Sequence, residues 1–190
     1  MARGGRRGWW LAACACVLAA GFAQAAEIDP ATSHIGFRLT TRWGQTLQGR
    51  FPDSGGVVES LADGRRQVRL RLSTRSVEIV GHPGYTRMAR GYGFFNAIAY
   101  PEIEFVSDPY APDLLRAGGP LPGTLSIRDV RRREVFTIEP ASCDTPARAC
   151  DVVGTGSIHR DDYGLGRWGF ALTDRVRFSL RVRVRGDAGA

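Results

Sequence analysis

The most constraining feature of the chain is its last long run, Arg175 to Arg185. Val176, Phe178, Leu180, Val182 and Val184 fall on one face, and Arg175, Arg177, Ser179, Arg181, Arg183 and Arg185 on the other. Strict alternation of this kind marks a strand with one dry and one solvated side. A dry face this long needs a dry interior to cover it. A closed barrel supplies one and leaves no exposed edge.

The rest of the chain follows the same pattern. Ile35, Phe37 and Leu39 alternate with Gly36, Arg38 and Thr40, and Val68, Leu70 and Leu72 alternate with Arg69 and Arg71. Those arginines read as a solvated strand face. Further strands are expected at Leu47–Phe51, Gly55–Val58, Glu102–Ser107, Thr124–Ile127, Glu134–Glu139, Asp151–His159 and Trp168–Leu172. Asp63-Gly64 is a hairpin turn signal. About eight strands at hairpin spacing, with no internal repeat and no domain break, point to an all-β sandwich or barrel and not a βαβ fold, and the long two-faced last strand suits a closed barrel. Such a barrel can be filled by side chains or can hold one small ligand.

Between these strands lies Gly91 to Asp108. Phe94 and Phe95 sit just before Tyr100-Pro101, and Pro101 suits the first position of the strand that follows. The phenylalanine pair either plugs or lines the interior, or is ordinary core. Tyr85 to Asn96 is the one fair helix candidate, because Tyr85, Met88, Ala89, Tyr92 and Phe95 fall at helical spacing. Gly91 and Gly93 each weaken it by about 1 kcal/mol, so the helix should be short.

Residues 1 to 26 read as a signal peptide: Arg3, Arg6 and Arg7, then an apolar run too short to span a bilayer, then Ala23-Gln24-Ala25. Leu11-Ala12-Ala13-Cys14 resembles a lipoprotein processing site, but almost no apolar run precedes it. Residues 27–190 are expected to form one domain, periplasmic or secreted. The formal charge of +7 falls to +4 without the leader's three arginines. In that compartment nucleic acid is not an expected partner, whereas an anionic membrane surface is within reach of a mildly basic protein. Cys143 and Cys150, the cysteines beyond the leader, flank a short loop and are expected to form a disulfide.

The residues argue against an enzyme. His34, His82 and His159 lack a second metal ligand at a fitting spacing, and no nucleophile elbow is present, so no catalytic residue, metal or cofactor is expected. Gly164 to Gly169 matches GxGxxG, but a turn precedes it and a strand follows, which is the wrong context for a dinucleotide. A binding module remains. Its apolar lining candidates are Phe37, Leu39, Phe51, Leu70, Leu72, Phe94, Phe95, Ile103, Phe105, Ile127, Phe136, Phe170, Phe178 and Leu180, or else these residues simply pack as core.

The order of motifs resembles the YceI-like family of exported polyisoprenoid-binding proteins. The matching pieces are Ile28-Asp29-Pro30, Ser33 and Phe37; Gly49-Arg50-Phe51; Ser76-Val77; Phe94-Phe95; Tyr100-Pro101; Phe105-Val106-Ser107; Gly123 to Ile127; and Arg160 to Leu165. The resemblance implies an extended, eight-stranded antiparallel lipocalin-like barrel with an isoprenoid or other long amphiphile in its bore. It departs from the family pattern at Thr41, Asn96, Asp129 and Gly81 to Arg90. Arg160, Asp161 and Tyr163 are candidate headgroup contacts; the alternative is a structural turn held by side-chain hydrogen bonds. Two functions stand at this point. One is binding, transport or storage of a lipid without chemistry. The other is a structural or partner-binding envelope stress protein with a filled core. Homodimer formation is compatible with either.

Overall fold

A computed structural model describes residues 25–185 of the chain. The signal-peptide expectation therefore lies outside the described residues, apart from Ala25 and Ala26. Eleven antiparallel strands form one sheet. They are β1 (Ala25–Glu27), β2 (His34–Thr41), β3 (Thr46–Arg50), β4 (Ser54–Ser60), β5 (Arg66–Ser73), β6 (Glu78–Ile79), β7 (Glu102–Ser107), β8 (Gly119–Ile127), β9 (Val130–Ile138), β10 (Val152–His159) and β11 (Leu172–Val182). Their order across the sheet is β1-β4-β5-β7-β8-β9-β10-β11-β2-β3-β6. The sheet curls into a half-barrel with its dry face inward, the lipocalin-like architecture.

The strand count exceeds the expected eight largely because two of the strands, β1 and β6, are only two or three residues long. Neither carries an alternation that a sequence could display. β1 nonetheless has an architectural role. On one side Ala25, Ala26 and Glu27 pair with Glu59, Val58 and Val57 of β4. On the other, Ile28 pairs with Val184 just beyond β11. Asp29 N–H donates to the Arg183 carbonyl at 2.8 Å, and Arg185 N–H donates to the Glu27 carbonyl at 2.8 Å. The regular ladder stays open between β1 and β6, and this segment laces its two halves together at one end.

Helix α1 (Pro83–Arg90) is shorter than the predicted Tyr85–Asn96 span and begins earlier. Proline suits its first turn, because that N–H has no intrahelical partner in any case. Gly91 ends it in extended conformation. The chain then folds back: Phe95 N–H donates to the Ala89 carbonyl at 3.0 Å and Ala97 N–H to the Arg90 carbonyl at 2.9 Å. This return drives Phe94 and Phe95 into the interior. A single-turn helix α2 (Leu114–Ala117) and two 3-10 turns, Arg160–Tyr163 and Gly166–Trp168, complete the described residues. The glycine-rich Gly164 to Gly169 stretch falls on these turns, with no nucleotide-binding strand–helix arrangement.

The interior carries a connected run of aromatic rings. Phe94 meets Phe95 (centroids 4.9 Å apart), Phe95 meets Phe51 (6.1 Å), Phe51 meets Phe37 (5.5 Å) and Phe37 meets Phe178 (6.2 Å). Phe178 meets Phe136 (6.3 Å), and Phe136 meets Phe105 (4.8 Å). Tilted and edge-on contacts at these spacings are the favoured arrangements for aromatic pairs.

Candidate functional site

The half-barrel is not filled along its whole length. A cavity of about 380 Å³ opens at the end where β1 crosses to β11. Its walls come from alternate positions of successive strands, because side chains on a strand point to opposite faces. Val68, Leu70 and Leu72 enter from β5, Ile103 and Phe105 from β7, and Leu121 and Leu125 from β8. Phe136 and Ile138 enter from β9, and Phe178, Leu180 and Val182 from β11. Ile28, Ile35, Val58 and Leu115 add to it. The rim is formed by Ser60 and Arg66 of the β4–β5 hairpin, Tyr110, and Pro146, Ala147 and Arg148 of the cysteine loop.

That loop is held in place. Cys143 and Cys150 form a disulfide. Inside it Ala147 is buried in the left-handed region (φ 69°), and its carbonyl accepts the Val184 N–H at 2.9 Å. The Arg116 guanidinium donates to the Asp144 carbonyl at 2.6 Å. The rim is thus a fixed structure.

The model of the YceI-like domain matches residues 27–184. The chain belongs to the YceI-like family. No curated protein matches it in sequence. Among solved structures, Burkholderia cenocepacia BcnA superposes with a TM-score of 0.68 at 18% identity, covering 84% of this chain and 99% of that one. A polyisoprenoid binding domain from Saccharophagus degradans, implicated in plant cell wall breakdown, gives 0.63 at 14% identity, with 86% and 99% covered. The Campylobacter jejuni YceI protein gives 0.55 at 19% identity, with 73% and 85% covered. At these identities the likeness is one of fold.

In this YceI-like protein the predicted lining residues divide three ways. Leu70, Leu72, Ile103, Phe105, Phe136, Phe178 and Leu180 lie on the cavity wall. Phe37, Leu39, Phe51, Phe94, Phe95 and Ile127 are buried but pack behind that wall, filling the other end of the half-barrel. Phe94 and Phe95 therefore plug the interior; they do not line the cavity. Phe105, Phe136 and Phe178 form its aromatic floor. Phe170 is a correction: it is 74% exposed, its ring tilted against that of Trp168 with centroids 5.7 Å apart, on the turn that precedes β11. The strand expected at Trp168–Leu172 is a turn as far as Ala171, and β11 begins only at Leu172, so Phe170 has no place in the inward-facing alternation.

The predicted headgroup contacts are also corrected. Arg160 and Tyr163 follow β10 at the end remote from the cavity, about six strand residues or ~20 Å beyond Gly154 on its wall. Arg160 is 1% exposed, and its guanidinium donates to the carbonyls of Thr173 (3.0 Å), Leu172 (3.4 Å) and Leu165. Tyr163, fully buried, donates its hydroxyl to Glu134 at 2.8 Å. Burial first, and that hydrogen bond second, push its pKa far up. Asp161 is exposed, 3.4 Å from Arg160. Together they form a structural turn that clips the start of β11 to β9.

The residues missed from sequence were Arg66, Tyr110 and Arg148 at the rim, and wall positions such as Leu121 and Leu115. Leu121 belongs to an alternating series with Leu125 and Ile127, but Pro120 and Pro122 disguise it. The prolines are tolerated because β7 ends opposite Gly123, so the first residues of β8 are paired on one side only. Among the described residues no cluster of three or more His, Cys, Asp or Glu could hold a metal ion. No helix among them is long and apolar enough to cross a membrane.

Proposed function

We propose that this protein binds a single-chain amphiphile, an isoprenoid or a similar lipid, in the cavity and stores or carries it outside the cytoplasm, without a chemical step of its own. The observation that carries the reading is the apolar cavity of about 380 Å³ within a sheet that could have packed shut. A 150 Å³ apolar cavity holds a benzene ring, so this volume suits about fifteen carbons by proportion. The binding of a polyisoprenoid by the structurally similar Saccharophagus domain supports the same class of ligand. The disulfide supports an oxidising compartment. A stress protein with a filled core would need the whole bore closed, and the rings of Phe37, Phe51, Phe94 and Phe95 close only one end.

The test is a titration with a fluorescent fatty-acid probe, comparing the native chain with Leu125→Trp. Leu125 is buried on the cavity wall, and an indole there would occupy the volume the tail needs. Probe binding should weaken at least about tenfold while the far-ultraviolet dichroism and its cooperative melting persist. Unchanged binding by a folded Leu125→Trp protein contradicts the reading.

A further inference from the structure

The arginines of the β4–β5 hairpin fall into two groups. Arg65 pairs with Asp63 at 2.7 Å, Arg69 with Glu104 at 2.9 Å, and Arg71 lies 3.6 Å from both Glu102 and Glu104. All of these face away from the cavity. Arg66 has the parity of Val68, Leu70 and Leu72, so it stands on the dry face and contributes to the cavity rim. It makes no ion pair among the described residues. A guanidinium at the top of an apolar pocket, left without a carboxylate where its neighbours each have one, is a receptor for an anion.

Its surroundings fit that role. Arg66 and Tyr110 exchange two backbone hydrogen bonds, each 2.8 Å, which fixes them side by side on the rim. Burial raises the Tyr110 hydroxyl above its ordinary pKa, opposed by the positive charge of Arg66. Tyr110 is therefore a neutral O–H donor at physiological pH. Arg148 joins the same rim from the disulfide-held loop.

We propose that the cavity mouth is an anion site, and that the ligand is an amphiphile ending in a carboxylate or a phosphate held by Arg66 and Tyr110. This rests on the lipid-binding reading and narrows it to one headgroup chemistry. A carboxylate or phosphate oxygen accepts from the planar guanidinium fork and from the phenol, while the tail runs down to the floor of Phe105, Phe136 and Phe178.

The experiment uses matched pairs that share a tail and differ in charge: farnesyl phosphate against farnesol, and palmitate against hexadecanol. Each displaces the fluorescent probe from the native chain. The anions should bind about tenfold more tightly than their alcohols, and the preference should shrink as salt rises. Arg66→Gln should abolish the preference and leave alcohol affinity within about twofold of native. Arg66→Lys, which keeps the charge and loses the fork, should retain part of it. A larger gain for farnesyl phosphate than for palmitate assigns a prenyl phosphate as the source, and the reverse assigns a fatty acid. Equal affinity for anion and alcohol in the native chain, or a loss in Arg66→Gln common to all four probes, overturns the anion site while lipid binding stands. Failure of every probe to bind removes both. The salt response of the native chain needs no variant, so misfolding of Arg66→Gln would not protect the proposal.

Discussion

A β-carbon at Gly49 would stand 2.1 Å from the ring of Phe37, its register partner across β2 and β3. The same device recurs at Gly156, where it would lie 2.6 Å from the Phe136 ring, and at Gly123, 2.5 Å from that of Phe105. A large ring laid over a glycine fills space that the partner strand leaves empty, as dense interior packing requires. The Phe37 ring cannot retreat, since Phe51 and Phe178 hold it from the other sides. Gly49→Ala should therefore destabilise the fold by about 1–3 kcal/mol, the usual range for overpacking, measured by urea denaturation. At the polar surface, a hydrogen bond from Arg183 to Asp151 (2.5 Å) holds that carboxyl below the usual carboxylate range, with the charge of Arg183 adding to it. A carboxyl whose folded pKa is lowered adds stability that is present above its unfolded value, about 3.9. That stability is lost as pH falls through the lowered folded value. Asp151→Asn should lower Tm at neutral pH, and the gap to the native chain should narrow as pH falls below about 3.9. The alternation showed which residues of a strand are buried, so Phe37, Leu70 and Phe178 were legible. It could not say which buried residues meet a cavity and which meet each other, because that depends on what strands distant in sequence present across the bore. Arg66 was missed although it shares the parity of Val68, because a charged residue at a hairpin reads as solvated and the lack of a carboxylate partner shows only in the folded sheet.

Among the elements, the cysteine loop has the clearest consequence for function. It closes one side of the mouth, and its Ala147 carbonyl receives Val184 from the extension of β11, next to where Ile28 lands. Cross-linking so short a loop stabilises by about 2 kcal/mol through the unfolded chain. Replacing both Cys143 and Cys150 by serine should remove about that much stability and also speed release of a bound probe, since the rim loses its anchor. Stopped-flow displacement measures the second effect; an unchanged release rate would mean that the loop does not control the mouth. The disulfide was readable from two cysteines beyond a leader that predicts export. Its position over a cavity was not, because nothing local links Ala147 to Val184. Helix α1 shows the opposite limit: the spacing of Tyr85, Met88 and Ala89 is visible, yet Gly91 ends the helix and the return that buries Phe95 depends on contacts formed only in the folded sheet.

For the molecule as a whole, the sheet and its dry interior were legible because the period-two pattern repeats along most of the chain. The lacing of the half-barrel by Ala25 to Asp29 was not, since five residues show no period and pair with residues far along the chain. Lipid binding depends on the balance between a filled end and an open one. The aromatic floor limits the depth, so among geraniol, farnesol and geranylgeraniol the affinity should peak at farnesol, whose carbons match the cavity of about 380 Å³. A rise continuing to geranylgeraniol would show that Phe105, Phe136 and Phe178 move aside. The central claim is that the open end is a lipid site, and the most direct measurement is native mass spectrometry of the protein, with organic extraction of whatever it carries. The account predicts one apolar amphiphile per chain, released into solvent and absent from Leu125→Trp. Repeatedly empty protein that also fails to take up farnesyl phosphate, farnesol, palmitate or hexadecanol would contradict it.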